Sequence, residues 1–573
     1  MERPERPDQE GLPVRRTSLA VVTVALAGVL VACTGDPAAA PSSSASNAGA
    51  TSAAPSSGSS ASSSTASASS SSSAAISTSA AAQQIPGLDD SALEVMNGAA
   101  YDGGQWAISV KDLETGEQLI SHNAGLFLQP GSVVKTYSSG AVWAKFGPDS
   151  TVTTPVHRSG EVAGGVLTGD LIMVGQGDLT MGGQTKPDGT IDYTNLDHND
   201  ANDIPGATLV TEDPLTGLDA LAKQVKDAGI NQIKGDVLID DRLWDADALE
   251  NGPITPIIIN NNLIDFSITP GAVGSKAEAV MRPVVAPWKV DVQVETVAAG
   301  GTTNITIDSP AHGQVVLTGS IAADSDPIIR TWAFDDPARF ARTAFIEALE
   351  RAGVTVSADP VAENPVADLP AKDAVTALPV VAERESLPLS EEAKYVLKIS
   401  YNRGAQTFIC RLAVSAGSTD CDDGLTEAAK IWKGEGLDPT GAVLIDGSGL
   451  TGNMITADNE ADLQRIMAQR PDADEWKATL PILGVDGSLE MVQAKSPAAG
   501  KVFAKTGTLG LFDIYNNRIV LPTKALGGYM DAASGRKLAF TIIVTNGVFA
   551  DIQGVFAAND DVGKVAAIIQ QSY

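Results

Sequence analysis

The sequence predicts an α+β protein whose core is split in two by a long β-rich insertion. Three observations carry this. A helix-forming stretch opening at Gly131 follows directly on two strand-like segments. Strong helix and strand patterns return after residue 386. Between them, from about 151 to 385, the segments are short, β-branched and broken by Gly and Pro, as strands joined by turns are.

The chain begins outside this core. Arg3, Arg6, Arg15 and Arg16 precede an uncharged apolar run from Thr17 to Ala32. That run is short for a membrane span, which needs about 20 residues, so residues 1–32 are expected to be a cleaved signal peptide. It closes on Leu30-Val31-Ala32-Cys33, which resembles the bacterial lipobox. The resemblance implies lipidation of Cys33 and an exported protein held on the outer face of the cytoplasmic membrane; two acyl chains on one cysteine make a stable anchor. Residues 37–82 are almost entirely Ser, Ala, Gly, Thr and Pro. Nothing apolar offsets the cost of ordering them, so 33–84 reads as a flexible tether, with a root-mean-square span of about 40 Å.

Folded sequence is expected from Ile85. Trp106–Val110 and Gln118–Ile120 flank Glu114-Thr-Gly116 as a hairpin. Pro130-Gly-Ser-Val-Val-Lys135 then opens a helix, completing the first part of the core, 85–150. In the insertion, 151–385, Leu171–Val174, Ile233–Ile239, Val290–Val294 and Thr303–Ile307 read as strands, and Phe340–Arg351 as an amphipathic helix. Gly175-x-Gly177 lacks the third glycine and the helix of a dinucleotide fingerprint. In the second part of the core, 386–573, Ser390 is expected to cap a helix running toward Ser400-Tyr401-Asn402. Asp446–Leu450 and Asp486–Leu489 read as turns. Val502–Thr508 and Lys537–Val544 read as strands, and Val562–Gln571 as a closing helix.

With 39 Lys+Arg against 70 Asp+Glu, the chain carries a formal charge of -31. That argues against a nucleic-acid partner, which needs a basic face, and is read as a solubility feature. No Cys/His cluster has metal-ligand spacing, and no metal or cofactor is expected. Apart from Cys33, only Cys410 and Cys421 remain. In an oxidising compartment they form a disulfide; two buried thiols are the alternative. None of the four histidines, His122, His157, His198 and His312, stands in a triad context, and Ser132 is not in Gly-x-Ser-x-Gly. Both facts disfavour a Ser-His-Asp hydrolase.

The chemistry rests on three short patterns in order: Ser132-x-x-Lys135, Ser400-x-Asn402 and Lys505-Thr506-Gly507. Residues three apart on a helix share a face, so the Ser132 hydroxyl and the Lys135 amine enter one cleft. The lysine takes the serine proton only if burial or a nearby cation lowers its pKa. Each pattern alone is common. Together, in an exported chain, they match the serine acyl-transferase set of penicillin-binding proteins and β-lactamases.

Further residues narrow the resemblance to the D-alanyl-D-alanine carboxypeptidase/endopeptidase family, the low-molecular-mass class C penicillin-binding proteins. In the core these are Asp446-Gly-Ser-Gly-Leu450, the Leu480–Leu489 stretch, Lys505-Thr-Gly-Thr-Leu509, Gly527-Gly528-Tyr529 and Asn546. In the insertion they are Gly169–Asp178, Lys234–Asp241, Asn261-Asn262 and Thr269-Pro-Gly271. The similarity covers roughly 90–573. A β-lactamase keeps its first two motifs far closer; the family resembled carries extra domains between them.

The resemblance implies a penicillin-binding-protein-like core, an antiparallel sheet with helices on both faces. It implies hydrolysis of D-alanyl peptide bonds in peptidoglycan stem peptides, with β-lactams as covalent inhibitors. By the same resemblance Ser132 attacks the penultimate D-alanine carbonyl, Lys135 accepts the proton and Ser400 relays a proton to the leaving amine. Asn402 holds Lys135 and the substrate backbone. Lys505, Thr506, Gly507 and Thr508 bind substrate, with Lys505 facing the terminal carboxylate. The oxyanion hole falls to the backbone N–H groups of Ser132 and Thr508.

The chain departs from the family pattern in four places. Tyr401 replaces Asp, Ala405-Gln406 replaces Ala-Glu, and Leu179 replaces Pro. The run from Lys505 to Tyr529 is also longer, with extra residues that include Asp513 to Pro522. These departures bear on substrate preference. The alternatives are an inactive wall-binding lipoprotein of the same fold and, less favoured, a β-lactam hydrolase.

Overall fold

The computed structural model describes residues 84–249 and 252–573. The signal-like segment, Cys33 and the tether up to residue 83 lie outside the described residues.

A five-stranded antiparallel sheet organises the core. Its strands are β1 (Trp106–Asp112), β2 (Gln118–His122), β3 (Val502–Asp513), β4 (Arg518–Asp531) and β5 (Lys537–Phe549). They lie in the order β2-β1-β5-β4-β3, so β3 is an edge. Side chains alternate between the two faces of a strand. Leu538, Phe540, Ile542 and Val544 of β5 therefore pack with helix α1 (Asp90–Met96) on one face. Ile543 joins Ala525 and Tyr529 on the other, toward the helix that carries Ser132.

That second face holds helices α2 (Lys135–Phe146), α3 (Leu389–Lys398), α4 (Asn402–Ser415), α5 (Asp422–Gly434), α6 (Ala457–Ala468) and α7 (Ala473–Thr479). Trp143 of α2 meets Trp476 of α7 edge-on at 5.4 Å, and Trp432 Nε1 donates to Tyr137 O at 3.0 Å. Helix α8 (Ile552–Ser572) closes the chain on the α1 face. It begins ten residues before the expected Val562, because Asp551 caps it by accepting from Gln553 N at 3.0 Å.

The chain leaves this core after α2 and returns at α3. The outermost strands of the excursion, Thr153–Arg158 and Val380–Glu385, pair with each other. The insertion has an apolar cluster running from Val156 to Ala382, while its Leu179, Ile191 and Ile258 pack into a cluster of the core. Most of it is short strands, with two principal helices, Thr216–Asp227 and Pro337–Arg351. The second starts at Pro337 rather than Phe340, since Asp336 caps it and proline suits the first helical turn.

Two local expectations need correction. Ile233–Ile239 is not one strand but two, Gln232–Ile233 and Val237–Asp240. The chain breaks at Gly235, where a Cβ would stand 2.4 Å from Gly169 O. Ser390 is not a helix cap. Pro388 occupies that position and Ser390 lies inside the first turn of α3.

Cys410 of α4 and Cys421, which precedes α5, form a disulfide. Asp247 lies beside both sulfurs, but bonded sulfurs offer no thiolate to a metal. Loop-closure entropy for this short loop gives a stabilisation of ~3 kcal/mol. Replacing both cysteines with alanine should lower the thermal unfolding midpoint, and reductant should lower that of the wild type similarly. Identical melts with and without the bond would contradict this.

Candidate active site

Backbone packing between two glycines places Ser132 against the sheet edge. Gly131 has φ +54, and a Cβ there would stand 2.7 Å from Thr508 N. A Cβ on Gly507 would stand 1.9 Å from Pro130 O. Neither position tolerates a side chain, so the turn before Ser132 abuts β3 directly. A 3-10 turn, Gly131–Val134, then runs into α2.

Lys135 is fully buried. Its Nζ lies 2.7 Å from Ser132 Oγ, 2.6 Å from Asn402 Oδ1 and 2.8 Å from Ser448 O. The last two are acceptors only and take two N–H bonds. A neutral amine has two hydrogens and one lone pair, which leaves the lone pair for the Ser132 hydroxyl. Burial pushes the Lys135 pKa down to about 7, against the opposing pull of Asp446 and Asp200. No carboxylate of the described residues makes an ion pair with it. The uncharged form that can accept a proton is thus well populated near neutrality.

Ser400 stands between α3 and α4 in a left-handed backbone conformation, φ 66, rare for a residue with a side chain. Its Oγ accepts from Lys505 Nζ at 2.9 Å, and Lys505 also donates to Thr506 O at 2.8 Å. Lys505 is fully buried; burial, then Lys135 and Lys524, hold its pKa well below the usual lysine value. On β3 the Thr506 hydroxyl meets Ser488 Oγ at 2.7 Å, and Thr508 Oγ1 accepts from Lys524 Nζ at 2.6 Å. Ser132, Lys135, Ser400, Asn402 and Lys505 are thereby gathered at one end of β3, with Thr506, Gly507 and Thr508 along the strand.

Three participants were not anticipated from the sequence. Asp446 accepts from Ser448 N, Ser448 Oγ and Gly449 N, all within 2.8 Å, and from Asn453 Nδ2 at 2.7 Å. This aims the Ser448 carbonyl at Lys135. The motif read as a turn, but nothing in it marks a carbonyl as a lysine ligand. Asp200, in the insertion, interacts electrostatically with both Lys135 and Lys505; burial, then Asp197 and Asp203, raise its pKa to about 7. Lys524 is the third.

The departures have local physical accounts. The Tyr401 ring is buried, 5.5 Å from that of Tyr395. A Cβ on Gly404 would stand 2.5 Å from that ring, so the glycine makes room for it. Gln406 accepts from Gly447 N at 2.9 Å and donates to Asp247 Oδ2 at 2.8 Å, joining α4, the Asp446 turn and the insertion. Leu179 N donates to Glu392 Oε1 at 3.2 Å, a bond that proline has no N–H to make. Residues 513–522 extend the β3–β4 hairpin, leaving Tyr515 95 % and Ile514 73 % exposed at its tip.

A buried network ties the insertion to the core. His198 Nδ1 lies 2.7 Å from Asp265 Oδ1, and the Asn261 amide reaches His198 Nε2 at 2.9 Å and Tyr395 Oη at 2.6 Å. Burial disfavours the charged imidazole, but Asp265 and Asp197 outweigh it and raise the pKa to about 9.

Residues 92–561 match the D-Ala-D-Ala carboxypeptidase 3 (S13) family. The chain belongs to this family. It is 30% identical over 481 residues to a D-alanyl-D-alanine carboxypeptidase of Actinomadura sp., covering 78% of this chain and 79% of that one. Its fold is similar to penicillin binding protein 4 (dacB) from Haemophilus influenzae, with TM-score 0.61, 18% identity, and 83% of this chain and 98% of that one covered. The same protein complexed with a novel β-lactam matches with TM-score 0.60, 18% identity and the same coverage. As an S13 member the chain is a serine-type D-Ala-D-Ala carboxypeptidase with a penicillin-binding-protein core.

Proposed function

We propose that Ser132 is the nucleophile of this carboxypeptidase and that peptidoglycan stem peptides ending in D-Ala-D-Ala acylate it. The observation that carries the reading is the coordination of Lys135 Nζ, two N–H bonds to acceptors and a lone pair facing Ser132 Oγ. Attack transfers the serine proton to Lys135. Ser400, held by Lys505, returns a proton to the leaving D-alanine amine. Water then frees the stem and the serine. Asn402 orients Lys135, and Lys505 with Thr506 and Thr508 receives the substrate's terminal carboxylate. The N–H groups of Ser132 and Thr508 stabilise the oxyanion, which the close Gly131–Thr508 approach supports. β-Lactams acylate the same serine. A D-Ala peptide bond within a cross-link presents the same carbonyl, so endopeptidase action belongs to the same reading.

The split core, 85–150 and 386–573, works with the 151–385 insertion as one wall of the cleft, which Asp200 supports. The protein acts outside the cell, held by lipid on Cys33 and a tether. The basic n-region and the Leu30–Cys33 pattern support this reading. No helix among the described residues is long and apolar enough to cross a membrane.

Covalent labelling with a fluorescent penicillin, followed by peptide mapping, tests the assignment. A stable adduct on Ser132 is expected. An adduct on another serine, or none on folded protein, overturns it.

A further inference from the structure

Lys524 is a buried lysine whose charge no carboxylate of the described residues balances. It lies on β4 directly opposite Thr508 of β3 and is 5% exposed. Its Nζ donates to Thr508 Oγ1 at 2.6 Å. No carboxylate of the described residues pairs with it, and burial alone accounts for a pKa lowered to about 7. An ammonium removed from water without a counter-charge is costly unless a ligand supplies one.

Its position suggests which ligand. Partners directly opposite in a sheet share a face, and residues an odd number apart on a strand point to opposite faces. Lys524 and Thr508 therefore lie on one face of β3 and Lys505 on the other. Each lysine is near enough for Lys524 to depress the Lys505 pKa. The two ammonium groups bracket the Thr506–Thr508 segment, and β3 is the open edge of the sheet. Because the Thr508 oxygen accepts from Lys524, its own proton is free to donate outward.

We infer that Lys524 is a positioning residue for the terminal carboxylate of the substrate, acting through the Thr508 hydroxyl as a second cation across the strand from Lys505. The inference rests on the reading of the cleft given above. A bound carboxylate accepts from Thr508 and supplies a counter-charge for Lys524. Selectivity for a free C-terminal carboxylate then comes from both faces of β3.

The test compares a peptide ending in D-Ala-D-Ala with its C-terminal carboxamide. The enzymes are wild type, Lys524→Arg, Lys524→Gln and Lys524→Met, each checked by its thermal melt. Lys524→Gln and Lys524→Met should lose 10- to 100-fold in kcat/KM on the acid, mostly through KM, and less than threefold on the amide. Lys524→Arg should stay within threefold of wild type on both. Equal losses on acid and amide, or no loss on the acid, overturn the inference. Should Lys524→Met not fold, Lys524→Gln, which keeps a donor without the charge, gives the same comparison. Failure of the wild type to cleave the acid peptide at all would instead defeat the underlying reading.

Discussion

Ser132→Ala should abolish covalent labelling by penicillin and reduce peptide hydrolysis by at least ~10⁴-fold, while leaving the melting curve unchanged. The kinetic expectation follows from removing the only oxygen placed on the Lys135 lone pair. Without it no acyl-enzyme forms, and the remaining donors act only on direct attack by water, a residual contribution in such sites. The stability expectation follows from the local structure. Ser132 is half-buried, its Oγ bonds only to Lys135 among the described residues, and it lies within a helical turn, where alanine is well tolerated, rather than at a cap. Lys135 keeps its bonds to Asn402 and Ser448. Labelling at the wild-type level would exclude Ser132 as the nucleophile; lost labelling with a lowered melting point would point to a structural role instead. Intact-mass spectrometry after incubation with penicillin, beside a thermal melt, separates these outcomes.

Lys135→Met should slow acylation by ~10²–10⁴-fold, the range for losing a positioned general base. Methionine fills a similar volume without a lone pair. It also leaves the Asn402 Oδ1 and Ser448 O acceptors short of a donor, so some loss of stability accompanies it. The wild-type pH profile provides an independent check. Only the neutral amine accepts the Ser132 proton, and the Lys135 pKa lies at about 7. Acylation should therefore rise as pH climbs through about 7, reach a plateau above it, and fall tenfold per unit well below. A rate flat from pH 5 to 9, or one falling as pH rises, contradicts Lys135 as the base. Stopped-flow acylation across this range measures it. In Lys135→Met this rising limb should vanish.

Much of the core was legible in the chain. The β1–β2 hairpin, β5 and the short strands of the insertion follow from alternating or continuous apolar runs and from the spacing of Gly and Pro. These are local properties, set by how side chains alternate along a strand. Boundaries were less legible. The break at Gly235 depends on Gly169 pressing against it, and the start of α8 on a cap at Asp551 that an apolar pattern does not record. The disulfide partners were visible as a pair, but only their helices bring them within bonding distance.

The sequence by itself determined which side chains are candidates for the reaction. Ser132 and Lys135 are three apart on one helical turn, and that spacing alone puts hydroxyl and amine on one face. The order of the three motifs pointed to the serine acyl-transferase set, and further stretches such as Asp446–Leu450 and Leu480–Leu489 narrowed it to the family. Tertiary structure decided what those groups can do. Lys135 becomes a candidate base because packing buries it and supplies Asn402 and Ser448, each hundreds of residues away, as acceptors for its hydrogens. Asp200 acts on the lysines because the fold brings this part of the insertion near Lys135 and Lys505. Lys524 becomes a candidate carboxylate anchor because β3 and β4 pair in one register. Proton affinity and electrostatic potential depend on desolvation and on distances across the fold, and neither is encoded in the spacing of residues along the chain.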